Sequence, residues 1–414
     1  MKGGRWIFLA AVLAALPLVP GLTSDFVRSM LSQMGIAAIF ALSFNMLLGQ
    51  TGLLSFGHAV YFGLGGYIAI HAMRLINSGA LPIPMPLVPV FGAAGGLLFG
   101  LLFGSVTTKR AGTVFAMITL GLGELVVAAS LMLTRFFGGE EGVTANRTRG
   151  PHPFGVTFGS QIEVYYIIAA WVFVSVAAMY AFTRTPLGRI GNAVRDNPER
   201  AEFVGYNPQR VRFITFAVSA MFAGVAGGLH AINYEIVAAE ALGAARSGAV
   251  LLMAFIGGIG NFAGPILGAV VITWLQVSLS DFSAAWQLYL GLFFVIMVLF
   301  APGGLTALFL MHAPLVRARR LHKVLPAYLI AAVPALVMTL GAVFLLEINY
   351  RLATKPELGT RTTFLSIPVD MATPWPWLAG LVVLGIGLYG FRMSWRLVGN
   401  AWSSASGRAS GEKA

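Results

Sequence analysis

Apolar runs of about 20 residues recur along this chain, divided by short polar stretches, and that pattern predicts helices that cross a membrane. Spans are expected over residues 28–48, 56–73, 86–107, 112–133, 163–182, 212–233, 286–302, 325–346 and 376–393, with a broken apolar stretch over 246–279. The opening MKGGRWIFLAAVLAALPLVPGL has a basic start and an apolar centre like a signal peptide. The many spans that follow favour a retained first helix, Trp6 to Leu22. Reading 246–279 as two short segments, 246–260 and 262–279, gives about 12 segments. The fold class expected is all-α: a polytopic membrane protein with glycine-broken helices in two related halves.

Charge tests that topology. With the N-terminus inside, the cytoplasmic loops receive 18 of the 27 basic residues, and the sign is right at each cytoplasmic loop. The inside residues are Lys2 and Arg5, Lys109 and Arg110, the arginines of 184–212, Arg317, Arg319, Arg320 and Lys323, and Arg392, Arg396, Arg408 and Lys413. Both termini are then cytoplasmic. A single long helix over 246–279 would put the basic 312–323 cluster outside. The 134–162 loop falls outside, either as a docking surface or as a plain connector. So does 347–375, where Trp375 and Trp377 suit an aromatic belt.

Composition fits the same class. The chain is 57% hydrophobic and only 10% charged, whereas soluble domains carry about 25% charged residues. The net charge of +12 reflects cytoplasmic loops, and basic residues are not interleaved with aromatic ones on a polar face, so nucleic acid is not an expected partner. There is no cysteine, which excludes disulfides, thiolate metal sites and cysteine nucleophiles.

The most polar run is RTPLGRIGNAVRDNPERAEFVGYNPQRVR, 184–212, with arginines at 184, 189, 195, 200, 210 and 212. Asn197 suits an N-cap, Pro198 suits a first turn, and Glu199 and Glu202 lie near the positive helix end. Gly205 is placed to stop the helix, and Asn207-Pro208 turns the chain back. A short exposed helix on the cytoplasmic face is expected. It serves either as a docking element for a cytoplasmic partner or only to fix topology.

Two apolar regions are interrupted in a related way: GQTGLLSFGHAVYFGLGGY, 49–67, and GGIGNFAGPILGA, 257–269. Each carries G-x-x-G, at Gly49/Gly52 and Gly257/Gly260. Paired glycine-interrupted segments point to a transporter's substrate path, while any single glycine also serves close helix contact. Asn45, Gln50 and Asn261 stand beside these breaks, to line the path or to satisfy backbone freed there. His58 has no second ligand at metal spacing and reads as a hydrogen-bonded break residue. Glu124 falls mid-span, where a carboxylate is costly and is expected to face the bundle interior. It can meet a substrate ammonium, relay protons, or pair with Asn45 or His58. No P-loop, H-E-x-x-H or G-x-S-x-G occurs. An enzyme is therefore disfavoured, and active transport would draw on an ion gradient or on a separate ATPase.

Five segments in order resemble one family: GQTGLLSFGHAVYFGLGGY, AGTVFAMITLGLGEL, the 184–231 run, IGGIGNFAGPILGA and LFAPGGL. Over about residues 28–310 they look like the permease subunits of branched-chain amino acid ABC importers, LivM type. The resemblance implies a second permease of the LivH type, two cytoplasmic ATP-binding subunits and a periplasmic substrate-binding protein. It implies a bacterial inner membrane location and no cofactor in this chain, since ATP is bound by partner subunits. Glu199, Ala201 and Gly205 stand where the family carries its E-A-A…G coupling loop, with Arg195 and Glu202 beside them. His58 and Glu124 match positions that the family pattern fills with the same residues. The path residues expected are Asn45, Gly49, Gly52, His58, Glu124, Gly257, Gly260 and Asn261.

The external loop reads GGEEGV where GG-x-x-GL is more usual. About a hundred residues follow LFAPGGL, so a permease core over 1–310 and a C-terminal extension over 311–414 with two further helices are expected. The family also includes importers of urea, short amides and aromatic acids. A proton-coupled secondary transporter of amino acids or small amides, with Glu124 as its site, is the alternative. A passive channel or scaffold is a third.

Overall fold

The computed structural model describes residues 12–13, 15–18, 24–151, 155–354, 361–364 and 367–410. Of the first helix expected, Trp6 to Leu22, residues 12–13 and 15–18 are among these and the rest lie outside. Long helices dominate: α1 (Asp25–Thr51), α2 (Ala59–Asn77), α3 (Val88–Thr107), α4 (Gly112–Met132) and α5 (Gln161–Arg184). Two short helices of the arginine-rich loop follow, α6 (Pro186–Asp196) and α7 (Pro198–Phe203), and then α8 (Pro208–Tyr234), α9 (Ala244–Gly257), α10 (Gly264–Phe282) and α11 (Trp286–Phe300). The last three are α12 (Gly304–Arg317), α13 (Leu321–Thr354) and α14 (Pro374–Ser410). Among the described residues, nine helices are long and apolar enough to cross a membrane, or ten if the bent pair α11–α12 is one span. The protein is an all-α polytopic membrane protein. The 246–279 stretch is two helices, with α9 the shorter.

Three differences from the expected pattern have local causes. After Ala301-Pro302, the chain bends by 46° and continues as α12, because Gly304 takes a left-handed φ of 70° that few other residues accept. The 34 residues of α13 and 37 of α14 reach about 50 Å or more at 1.5 Å per residue, past the apolar runs that predicted them. The loop after α4 contributes β1 (Val143–Thr144), which pairs antiparallel with β2 (Ile236–Val237) from the other side of α8.

The described residues fall into two compact units. In the first, within Met1–Ser278 and Leu290–Thr306, α8 is the central helix and packs against α1, α2 and α3. Its small residues explain the closeness. A Cβ added at Gly96 would lie 2.9 Å from Gly224 Cα, one at Gly100 2.5 Å from Ala220 Cβ, and one at Gly65 2.5 Å from Gly224 Cα. Lipid gives helices no hydrophobic reason to associate, so close backbone approach has to hold them together.

The second unit lies within Leu279–Tyr289 and Ala307–Ala414. Here α13 and α14 pair antiparallel, with Gly341 beside Leu384 and Gly387 beside Met338. At one end of the pair Leu315, Val324 and Ala405 form a small core with Tyr328 and Trp402, and His312 Nε2 lies 2.8 Å from Tyr328 Oη. Toward the other end Glu347 accepts from Ser283 Oγ at 2.9 Å and Tyr289 Oη at 3.0 Å. A two-stranded hairpin, β3 (Arg361–Phe364) and β4 (Ile367–Asp370), joins the helices.

Candidate functional site

The first break begins where α1 stops. Gly52 takes a left-handed φ of 70°, and its N–H with that of Leu53 closes back on Leu48 and Leu47, a glycine-ended helix terminus. Residues 53–55 are not helical, and α2 starts only at Ala59. His58 Nε2 lies 3.0 Å from Ser43 Oγ, and its ring stacks on Phe40. Ser43 is two turns before the end of α1, so the chain doubles back along α1 before α2 begins. This non-helical backbone is enclosed between helices and must be satisfied by protein. Distant side chains do that: Phe56 N–H donates to Thr119 Oγ1 at 3.2 Å, and Ala59 N–H donates to Ser247 Oγ at 3.0 Å. Gly57 has no room for a side chain, because the Thr119 carbonyl occupies the place of its Cβ.

The proton on His58 can be assigned from its partner. Ser43 Oγ spends its hydrogen on Phe40 O at 2.7 Å, so it accepts from His58 Nε2–H. His58 Nδ1 is then a bare acceptor, buried without a protein partner among the described residues. Asn45 Oδ1, Gln50 Oε1, Ser55 Oγ and Tyr61 Oη around the same break are in the same condition.

The second break differs. α9 and α10 meet almost backbone to backbone: a Cβ at Gly257 would strike the Gly264 carbonyl, and one at Gly268 the Met253 carbonyl. The PGGL segment closes the same corner, with Thr306 Oγ1 donating to Gly257 O at 2.8 Å. Gly260 and Asn261 sit exposed in the turn, and Gly260 has open space where a Cβ would be.

The two breaks meet at one point. A Cβ on Gly49 would lie 3.1 Å from Ile259 O and 2.5 Å from Asn45 Oδ1. Arg195, on α6, reaches the same place: its Nη1 donates to Gly49 O, and its stem lies against Gly52. Arg195 also holds Asp196 at 2.9 Å. The arginine-rich loop is thus tied directly to the end of α1.

Within that loop the local reading of the sequence holds. Asn197 Oδ1 caps α7 through Arg200 N–H at 2.9 Å, and Asn207 Oδ1 caps α8 through Arg210 N–H at 3.1 Å. Gly205 takes φ 92°. Ala201 is buried with Val194 and Val211, while Glu199 and Glu202 are exposed. α6 was not expected. It is capped by Thr185, whose Oγ1 accepts from Gly188 N–H at 3.2 Å. Nor was the apolar tip beyond α7, where Phe203 is 91% and Val204 75% exposed and Tyr206 stands beside them.

Glu124 corrects an expectation. It lies on an exposed face of α4 with Met117, Leu120 and Leu125, not in the interior of this chain, and neither Asn45 nor His58 bonds it. The buried stripe of α4 (Phe115, Thr119, Gly123, Val126) takes the core-facing positions, and Glu124 falls just off it. A bare carboxylate at mid-span is costly against lipid, so this face is built to be covered by something other than lipid. Gly123 itself touches the first break at Gly57.

A polytopic helical bundle with an irregular polar break, tied through Arg195 to an exposed pair of loop helices, is consistent with a membrane transport component. Residues 26–301 match the family model described as branched-chain amino acid transport system / permease component, and the chain belongs to that family. It is 28% identical over 320 residues to the high-affinity branched-chain amino acid permease LivM of Salmonella typhimurium, covering 72% of this chain and 74% of that one. It is 27% identical over the same length to the LivM protein of Escherichia coli, with the same coverage. A probable LivH permease of Methanocaldococcus jannaschii is 25% identical over 246 residues, covering 57% of this chain and 75% of the relative. No solved structure matches the chain. The protein is a multi-pass permease subunit of an ABC importer, a transport component and not an enzyme. Relatives of both LivM and LivH names support a permease partner for it.

Proposed function

We propose that this chain forms, with a second permease of the LivH type, the translocation path for branched-chain or related hydrophobic amino acids. Two cytoplasmic ATP-binding subunits drive it, and a periplasmic binding protein delivers the substrate. The chain lies in the bacterial inner membrane with both termini cytoplasmic, as its loop charges favour. Residues 1–310 are the permease core, and 311–414 an extension. The path runs past Asn45, Gly49, Gly52, His58 and Glu124, and past Gly260 and Asn261 at its cytoplasmic mouth; Gly257 closes the corner beneath. Glu124 faces the second permease, which supplies the cover that a mid-span carboxylate needs.

One observation carries this reading: Arg195 joins the loop helices to Gly49 at the break. An ATPase that grips the loop thereby moves the end of α1. Arg195, Glu199, Ala201, Glu202 and Gly205 form the coupling loop, with Ala201 as its buried anchor. Phe203, Val204 and Tyr206 are its apolar grip, a form of contact that a solvated topology-fixing loop does not need. The test is co-purification in gentle detergent from native cells, with mass spectrometry of what accompanies the tagged chain. One or two P-loop ATPases and a second permease are expected. The double variant Phe203→Ser, Val204→Ser is expected to lose the ATPases at least fivefold while keeping the permease. Undiminished ATPase recovery would remove the docking role of this tip, and recovery of the chain alone after crosslinking would remove the assembly.

A further inference from the structure

Several arginines of the first unit donate to protein oxygens. Arg147 donates to Phe158 O at 3.0 Å and to Asn233 O at 3.0 Å, Arg74 donates to Thr144 O at 2.8 Å, and Arg195 reaches Gly49 O. Arg246 does not. It sits in the first turn of α9, partly buried, with its guanidinium 4.9 Å above the ring of Phe62. Among the described residues no carboxylate lies within the 4.0 Å of an ion pair, and the guanidinium donates no hydrogen bond. A cation–π contact offsets only part of the cost of placing a guanidinium in an apolar setting.

Its position is specific. Ser247, the next residue, caps Ala59 N–H at the first break, so Arg246 adjoins the residue that holds the start of α2. His230 and Tyr234 line the same place, with rings 4.5 Å apart and His230 5.3 Å from Phe62. Glu240, on the turn before α9, is exposed and within electrostatic reach without pairing. An unpaired cation and a separate acid, beside the Phe62, His230 and Tyr234 rings at the start of α9, suit a zwitterion with a branched apolar side chain. Such a ligand brings the carboxylate that Arg246 lacks, and guanidinium binds carboxylate in two-point fashion.

We propose that Arg246 binds the substrate's α-carboxylate on the translocation path, with Glu240 facing its ammonium. This rests on the amino acid import proposed above. The test is uptake of radiolabelled L-leucine by the co-purified importer in proteoliposomes, at saturating binding protein, with ATP hydrolysis measured in parallel. Arg246→Met keeps the aliphatic stem over Phe62 and removes the charge; Arg246→Lys keeps the charge. The methionine variant is expected to lose leucine uptake at least tenfold with subunit recovery intact, and the lysine variant to regain at least a third of the wild-type rate. Glu240→Gln is expected to lower uptake about threefold. Wild-type uptake by Arg246→Met, or equal losses in both variants, would overturn the carboxylate role and leave amino acid import standing. A wild-type importer that moves neither leucine nor any other α-amino acid would overturn the import reading, and this site with it.

Discussion

The two G-x-x-G elements look alike as sequence and are built differently. At 49–52 the glycines end a helix and let an arginine reach a bare carbonyl, and the backbone that follows is held by side chains from α4 and α9. At 257–260 the first glycine is consumed by a helix crossing too tight for any side chain, and the last sits in an open turn. One break is irregular backbone kept in order by hydrogen bonds, and the other is a corner kept in order by shape. A break held by exchangeable hydrogen bonds can rearrange at modest cost, whereas a corner packed backbone to backbone moves as one body. The first is therefore the element suited to opening and closing, and the second to staying rigid beside it.

Substitution can break that contrast. The largest effect is expected at the corner: Gly268→Leu or Gly257→Val forces atoms into a backbone carbonyl, and overpacking of that kind costs about 3 kcal/mol or more. Little folded protein should survive detergent extraction and size-exclusion chromatography. Next come the caps of the first break. Ser247→Ala leaves the buried Ala59 N–H unpaired, at about 1–3 kcal/mol, and Thr119→Val frees the part-buried Phe56 N–H at less cost, both read as a lowered midpoint of thermal unfolding in detergent. Gly52→Ala meets a left-handed backbone and Arg195 above it, and should cost about 1 kcal/mol. Ser43→Ala removes the acceptor of His58 Nε2–H, an effect near 1 kcal/mol. The smallest is Gly260→Ala, which fills open space and should stay within about 0.5 kcal/mol. A loss at Gly260→Ala as large as that at Gly268→Leu would erase the distinction between crossing and turn.

Much of the bundle was legible because membrane helices announce themselves by length and apolarity, and because Asn197 and Asn207 carry cap chemistry next to proline. The reach of α13 and α14 was not, since polar ends of a helix look like loop. α6 stayed hidden for a related reason: its arginines read as loop charge, although Thr185 and Pro186 together were a start signal. The caps of the first break could not be read at all, as Thr119 and Ser247 lie 63 and 188 residues from the groups they serve. Glu124 was expected to face the interior and lies on an exposed face instead, since the buried stripe of α4 is set by Phe115, Thr119, Gly123 and Val126. Arg246 passed unremarked because its meaning is the absence of a partner, which only three dimensions reveal. The apolar Phe203-Val204 pair looked like ordinary helix residues, and a signal was present in their place just before a helix-ending glycine.

In the proposed mechanism Arg195 carries motion from the arginine-rich loop to the first break. Its most direct test is the number of substrate molecules imported per ATP hydrolysed by the reconstituted importer, wild type against Arg195→Ala. The structure predicts that the variant retains its ATPases and hydrolyses ATP while this ratio falls at least fivefold. An unchanged ratio, with uptake and hydrolysis both intact, would contradict it.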